Sequence, residues 1–192
     1  MVHNWDDYAA EWEKDPATAQ FSDLVFAELQ ALHSLKGANV LDFGCGTGLL
    51  SQRVAPFARS VVALDASEAM IEELDKKTLA NVEPVVDELT RGLVAQHPAF
   101  RKQFDLVIAS SVCGFIPDFK EAATIIYSLL DEQGIFVHWD WLSEDESEGL
   151  TQESAHSILH QAGFSDIEIS IPFEVEMKDG TTMSVLMGVA YK

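Results

Sequence analysis

Basic residues are scarce in this chain, whose 192 residues include 12 lysines and arginines against 32 acids, for a formal net charge of −20. A field of that sign repels nucleic acids and anionic membrane surfaces, because proteins bind both through basic patches that neutralise phosphates. We therefore expect no nucleic-acid or membrane partner, and a small or neutral ligand rather than a polyanion. Solubility, or adaptation to a salty cytoplasm, is the other explanation of the charge.

Cysteine and long apolar runs are scarce as well. Cys45 and Cys113 lie in unrelated contexts, so we expect buried reduced thiols and neither a disulfide framework nor a metal site. No run of about 18 apolar residues predicts a membrane span. The acidic N-terminus lacks the basic start and apolar core of a signal peptide, so the expected location is cytoplasmic.

Hydrophobic residues are plentiful, at 47% of the chain, and the length suffices for one domain with a substantial core. No internal repeat, low-complexity tract or linker divides it. Residues 7–13 and 17–35 read as helical, and short apolar runs alternate with helical segments from residue 39 onward. We predict a single domain, 1–192, with an N-terminal helical segment, 1–37, before a core, 38–192.

Within the core, strand–helix alternation with continuously apolar strands indicates a parallel sheet covered by helices on both faces. The last part of the chain breaks the alternation, because Asp179-Gly180 lies between two strand-like runs and indicates a hairpin. The last strand should therefore run antiparallel to its neighbours. The predicted strands are 40–43, 60–64, 82–86, 104–109, 135–139 and 166–171, with a last one after the hairpin; the predicted helices are 48–56, 67–77, 89–96, 118–130 and 151–162.

A glycine-rich turn follows the first predicted strand in VLDFGCGTGLLS, with Gly44, Gly46 and Gly48 at alternate positions. Without Cβ atoms the backbone can turn sharply and lie against a ligand. A dinucleotide fingerprint requires its third glycine at position 49, which is Leu49. Asp42, just before the turn, would oppose a pyrophosphate but suit an ammonium group. The turn therefore favours a cofactor bearing an amino acid over a diphosphate, and a nicotinamide-dependent oxidoreductase is the less favoured alternative.

Two further acids end the next two predicted strands. Asp65 follows about 20 residues after the turn, where a carboxylate can accept hydrogen bonds from ribose hydroxyls. Asp65 could instead cap the next helix, but Ser67 is the better N-cap. Asp87 is placed to meet an adenine amino group, with helix capping as a stronger competitor. Because carboxyl ends of parallel strands meet at one edge, we expect Asp42, Asp65 and Asp87 to lie together.

These residues resemble the class I S-adenosylmethionine-dependent methyltransferases of the small-molecule type. VLDFGCGTG, VVALDASEAM and VVDEL are similar to the family's first three motifs, and FDLVIASSVCGFIPD to its fourth-strand segment. LLDEQGIFVHWDWL departs from the usual Leu-x-Pro-Gly-Gly, while QAGF matches the family before the sixth strand. The resemblance covers roughly residues 38–192. It implies a Rossmann-like fold: a doubly wound, seven-stranded, mostly parallel α/β sheet with an antiparallel last strand.

The resemblance also implies the cofactor, S-adenosylmethionine, and its contacts. In the second motif the acid binds ribose and the downstream methionine packs on adenine. WDDYAAEWEKD looks like the lid of small-molecule members, where Trp12 and also Tyr8 would close over the cofactor. A buried aromatic anchor for a terminal helix is the alternative for both. The implied cofactor contacts are Tyr8, Trp12, Asp42, Gly44, Gly46, Asp65, Ala66, Met70, Asp87, Glu88, Ala109 and Ser110.

The implied reaction is in-line transfer of a methyl group from the sulfonium to a small acceptor. A general base is needed only when the nucleophile is protonated at the working pH. His138 and Asp140 end the fifth strand on one face, and Trp139 and Trp141 lie on the other. Our hypothesis is that His138 or Asp140 faces the acceptor. The alternative is that this segment only packs under the lid.

The loop after the fourth strand, 110–118, should line an apolar acceptor pocket, with Phe115 where many relatives carry a histidine. It lacks the Asn/Asp-Pro-Pro-Tyr signature of nucleic-acid aminomethyltransferases. His156 and His160 have a spacing that zinc can use, but a solvated helix face explains them without a third ligand. A non-catalytic cofactor-binding protein remains the alternative from a different functional class.

Overall fold

The computed structural model describes residues 4–147, 149–177 and 179–192. Two short 3-10 segments, Trp5–Asp7 and Ala9–Lys14, precede six helices and seven strands, and a third, Pro98–Phe100, follows α4. The helices are α1 (Pro16–Leu32), α2 (Leu49–Val54), α3 (Glu68–Asp75), α4 (Arg91–Gln96), α5 (Phe119–Leu129) and α6 (Gln152–Ala162). The strands are β1 (Asn39–Phe43), β2 (Ser60–Asp65), β3 (Val82–Val86), β4 (Phe104–Ser110), β5 (Leu130–Trp141), β6 (Asp166–Glu176) and β7 (Thr182–Tyr191).

The strands form one seven-stranded sheet in the order β3-β2-β1-β4-β5-β7-β6. Neighbours among β1 to β5 pair in parallel, whereas β7 lies antiparallel between β5 and β6. The predicted fold class, with its antiparallel last strand, is confirmed. The β6–β7 hairpin turns at Asp179 and Gly180, where Gly180 has a φ of +81° and the Asp179 carboxylate accepts the Thr181 amide.

Side chains alternate between two cores because the central strands are covered on both faces. On one face α1 and α2 pack on β1 through residues such as Val25, Leu29 and Val40, all fully buried. On the other face α5 and α6 pack through Ile126 and Leu159. The predicted coverage on both faces is thus confirmed, and the parallel strands β1 to β5 end along one edge of the sheet.

The N-terminal region differs in detail from the prediction. The segment expected as a helix over 7–13 lies instead in two 3-10 segments. α1 begins separately, with Asp15 as its N-cap and Pro16 as its first residue. α1 ends at Leu32, three residues earlier than predicted, where His33 adopts an extended conformation. Cys45 and Cys113 are free and buried, as expected. No helix in the described part of the chain is long and apolar enough to cross a membrane.

Candidate active site

A cavity of about 580 Å³ opens at the edge where the parallel strands end. Its floor comes from the residues that end or follow β1, β2, β3, β4 and β5. Its other walls come from α1, the start of α5 and the N-terminal segment. The residues that the sequence had singled out and that line it are Trp12, Asp42, Gly44, Gly46, Asp65, Ala66, Met70, Asp87, Glu88, Ser110 and Phe115.

The three glycines of the predicted sharp turn adopt a left-handed backbone conformation. Gly44, Gly46 and Gly48 have φ values of +67°, +53° and +80°. A Cβ on Gly44 would lie 2.3 Å from a methyl carbon of Val112, so the turn could not approach the β4 loop with any other residue. A Cβ on Gly46 would meet only the Met70 sulfur, at 3.9 Å. The turn therefore leaves space beside Gly46.

Asp65 fixes the turn to the next strand. Its Oδ2 accepts the Gly46 amide at 2.8 Å and its Oδ1 accepts the Ser67 amide at 2.9 Å. Ser67 is the N-cap of α3, as predicted, since its hydroxyl accepts the Met70 amide. Burial raises the pKa of Asp65, although these backbone hydrogen bonds oppose the rise. The carboxylate is thus held rigidly on the cavity wall.

Asp42 lies deeper in the same wall and is 1% exposed. The Ser51 hydroxyl, from α2, donates to its Oδ2 at 2.6 Å. Burial raises the pKa of Asp42 to about 7, and the charge of Asp65 adds to the rise while the Ser51 hydrogen bond opposes it. A cation in the cavity would favour the ionised form of this carboxyl.

The third acid, Asp87, is exposed at the end of β3, and its amide donates to the Asp65 carbonyl at 3.0 Å. Asp42, Asp65 and Asp87 therefore line one cavity, as the strand pattern predicts. Two of the predicted cofactor contacts do not line it. Tyr8 is 50% exposed at the surface, and Ala109 is fully buried because its side chain points into the core beneath α5.

Trp5 is an aromatic residue of the N-terminal segment that the sequence reasoning did not select. Its ring packs against Phe115 at 5.4 Å and against Trp12 at 5.8 Å between ring centroids. All three line the cavity. The segment is also tied to α3, because the Ser67 hydroxyl donates to Asp6 and Lys77 pairs with Glu13. The spacing of Trp5 from Tyr8 and Trp12, three and seven residues, was the signal that could have identified it.

The hypothesis that His138 or Asp140 faces the acceptor disagrees with the geometry. Their exposed fractions are 0% and 1%, and neither lines the cavity. His138 Nδ1 lies 2.8 Å from Asp140 Oδ2, and Asp140 Oδ1 accepts the Gly114 amide at 2.9 Å. The two side chains share a face, as predicted, but that face points into the core under α5. Their contacts hold the β4 loop from below.

Two clusters of side chains contain residues of the kinds that bind metal ions. Cys113 lies beside His138 and Asp140, with one possible ligand atom of each within 4.8 Å of the others. Burial, followed by the Asp140 charge, raises the pKa of the Cys113 thiol well above its usual range, which disfavours the thiolate that a metal needs. His156 and His160 stack on an exposed face of α6, in agreement with a solvated surface.

The remaining wall includes three residues that the sequence patterns did not single out: Phe21 and Ser22, from α1, and Met177, which follows β6. Trp141, which the sequence places on the face of β5 opposite His138, lines this wall as well. Trp141 lies on the α1 face, opposite His138, and its ring packs on Phe21 at 4.9 Å. The alternation of β5 placed the tryptophans correctly, but only the packing of α1 shows that their face borders the cavity.

Comparison with known proteins identifies the family. A family model described as a methyltransferase domain matches residues 16–171. The chain is 28% identical over 136 residues to the ubiquinone biosynthesis O-methyltransferase of Pseudomonas entomophila, covering 70% of this chain and 56% of that protein. It is 32% identical over 103 residues to malonyl-[acyl-carrier protein] O-methyltransferase 1 of Ilyobacter polytropus, covering 53% and 37%. These matches span about half, or less, of the relatives' length.

The fold is shared with solved structures. The DhpI–SAH complex superposes with a TM-score of 0.74 at 20% identity, covering 97% of this chain and 92% of that one. Together with the family match over most of the chain, this places the protein: it belongs to the class I, S-adenosylmethionine-dependent methyltransferases.

Proposed function

We propose that this chain transfers a methyl group from S-adenosylmethionine to a small-molecule acceptor bound in the same cavity. One observation carries the proposal. The Gly46 amide donates a hydrogen bond to Asp65, which joins the glycine-rich turn to the next strand. This turn lies at a cavity that is also lined by the acids that end or follow three of the strands. The names of the two relatives, one acting in ubiquinone biosynthesis and one on malonyl-[acyl-carrier protein], support the reaction class.

The residues at this edge fit the cofactor. The free space beside Gly46 admits a ligand, and Asp42 is a buried carboxyl that an ammonium group would neutralise. We assign Asp42, Gly44 and Gly46 to the methionine end and Asp65 to the ribose hydroxyls. Ala66, Met70, Asp87 and Glu88 would surround the adenine, and Trp12 and Ser110 would border the sulfonium side; all of these residues line the cavity.

When bound, the cofactor supplies an electrophilic methyl group on a sulfonium. The protein's part is to orient the acceptor and to exclude water. Trp5, Trp12 and Phe115 form an aromatic cover over the cavity, and the ties from Asp6 and Glu13 to α3 hold it closed. We therefore propose that the N-terminal part of the segment 1–37 acts as a lid on the core domain, 38–192, and that α1 anchors this lid to the sheet.

Ligand-dependent thermal shift tests the cofactor assignment. We expect S-adenosylmethionine and S-adenosylhomocysteine to raise Tm, and NAD to leave it unchanged. Asp65→Ala should weaken S-adenosylhomocysteine at least tenfold by calorimetry, because it removes the proposed ribose contact. Asp166→Ala, a change at an exposed residue of β6, is the matched control. Stabilisation by NAD alone would overturn the proposal.

A non-catalytic cofactor-binding protein is the second candidate, because His138 and Asp140, the sequence-predicted catalytic residues, are buried away from the cavity. Incubation with methyl-labelled S-adenosylmethionine and a metabolite extract separates the two. We expect label in a small molecule. Tight cofactor binding with no labelled product in extracts would instead support the binding protein.

A further inference from the structure

The charged side chains that line the cavity, among the described residues, are all acids. Among the described residues that line it, none is lysine, arginine or histidine. Arg91 reaches Glu121 from α4, but both side chains are exposed there and Arg91 does not line the cavity. The acids that line it are Asp15, Asp42, Asp65, Asp87, Glu88, Asp118 and Glu121.

Several residues that line the cavity are left over once the cofactor contacts have been assigned. We call the part of the lining formed by six of them the acceptor half: Trp5, Phe21, Ser22, Phe115, Trp141 and Met177. Its walls are aromatic: Phe21 packs on Trp141 at 4.9 Å and Trp5 on Phe115 at 5.4 Å between centroids. Such walls bind flat apolar groups by burial and ring packing.

One polar group interrupts these walls. Ser22, in α1, lines the cavity and is 5% exposed, and its hydroxyl has no hydrogen-bond partner among the described residues. A buried hydroxyl without a partner costs free energy in the empty protein. The hydroxyl oxygen itself is covered, so a rotation about the Cα–Cβ bond of Ser22 would bring it to the cavity, where a hydrogen bond to a polar group on the acceptor would recover that cost.

We infer that the acceptor is an aromatic or similarly flat apolar molecule that carries no carboxylate, phosphate or sulfate, and that Ser22 hydrogen-bonds to its polar group. This inference rests on the proposed methyltransferase function. An anionic acceptor would lose its hydration on entering the cavity, and no described cationic side chain there would pair with it. It would also be repelled by the carboxylates that line the cavity, so its binding is unfavourable. A neutral molecule avoids this cost, and a cationic one is attracted by the acids and the ring faces.

The charge requirement is tested with three probes that share an indole ring: tryptophol, which is neutral, tryptamine, which is cationic, and indole-3-acetate, which is anionic. Binding of S-adenosylhomocysteine is measured first and by itself, since its absence would refute the proposed function. Probe binding to the protein saturated with S-adenosylhomocysteine is then measured by ligand-observed NMR. We expect tryptophol and tryptamine to bind at least tenfold more tightly than indole-3-acetate.

The role of the hydroxyl is tested with Ser22→Ala. We expect tryptophol to bind three- to tenfold more weakly, S-adenosylhomocysteine to bind unchanged, and Tm of the ligand-free protein to stay level or rise, because no internal hydrogen bond is lost. Ser128→Ala is the matched control. That serine lies near the end of α5, outside the cavity, and its hydroxyl donates to the Ile125 carbonyl.

The experiments test the acceptor class and the role of Ser22 separately. Equal or tighter binding of indole-3-acetate, or no binding of tryptophol and tryptamine to protein that binds S-adenosylhomocysteine, overturns the acceptor class while leaving the cofactor assignment intact. A Ser22→Ala protein with a lower Tm and unchanged tryptophol affinity overturns the role of Ser22, because that is the result of a purely structural hydroxyl.

Discussion

Asp42 shows how a proposed binding residue costs stability in the ligand-free protein. Its carboxyl is buried with one hydrogen bond from Ser51, and its pKa is about 7 instead of the ordinary value of 3.8. Between these two pH values the folded state binds more protons at this site than the unfolded state does. The free energy of unfolding therefore falls as pH rises across that interval, by roughly 4 kcal/mol at most for this group.

Asp42→Asn removes the titrating group and keeps an oxygen that can accept from Ser51. We expect its Tm to exceed that of the wild type at pH 8, to match it more closely near pH 4, and its affinity for S-adenosylmethionine at pH 8 to fall at least tenfold. Calorimetric melts at several pH values and titrations at pH 8 measure both effects. A variant whose Tm follows the wild type in parallel at every pH would contradict this account of Asp42.

At the scale of elements, the end of β5 supports the β4 loop. Asp140 accepts the Gly114 amide and contacts His138, all beneath residues that line the cavity. Removing a buried acceptor leaves donors without a partner, which costs on the order of 2–4 kcal/mol. We expect Asp140→Ala to lower the free energy of unfolding by that amount and to speed hydrogen exchange at Gly114.

Asp140→Asn is the matched comparison, because its amide oxygen can still accept the Gly114 amide. It should retain most of the protection at Gly114. Unaltered urea midpoints and exchange rates in Asp140→Ala would show that the network does not support the loop. A loss of methyl transfer with unaltered loop exchange would instead revive the hypothesis that Asp140 acts on the acceptor directly.

The same strand shows where sequence reasoning stops. Alternation along β5 correctly separates His138 and Asp140 from Trp139 and Trp141, because side-chain direction is a local property. How deeply His138 is buried depends instead on residues that are distant in the sequence. A Cβ on Gly188 of β7 would lie 2.2 Å from its Nε2, so His138 fills space left by a glycine fifty residues away. The pairing of β7 with β5 therefore decides how deeply His138 is buried.

The residues at the carboxyl ends of the strands were easier to predict, because their position follows from a local property of the strands. Asp42, Asp65 and Asp87 end or follow parallel strands, and parallel strands bring their carboxyl ends together without any knowledge of the helices. In the acceptor half, Phe21 and Ser22 depend instead on how α1 packs against β5, and they lie in a segment that reads only as an ordinary helix. The candidate cofactor contacts could therefore be predicted from the sequence, whereas most of the acceptor half, apart from Phe115, could not.

The net charge of −20 gives the whole molecule a negative electrostatic field. We expect this field to favour binding of the methyl donor over binding of its demethylated product. S-adenosylmethionine carries a sulfonium and has one positive charge more than S-adenosylhomocysteine. The acids that line the cavity add a local field of the same sign as the distant surface charge. Since salt screens charges over about 10 Å at 0.1 M, the affinity for the cationic cofactor should depend on ionic strength more than that for the product.

We expect the Kd of S-adenosylmethionine to rise about two- to fivefold between 20 and 300 mM NaCl, while that of S-adenosylhomocysteine changes by less than half as much. Calorimetric titrations of both ligands at the same pH measure the difference. Glu168→Gln and Glu132→Gln, which remove charge at exposed positions outside the cavity, are controls for the general field and should change the slope little. Equal salt dependence for the two ligands would show that the acidic cavity does not contribute to the preference for the methyl donor.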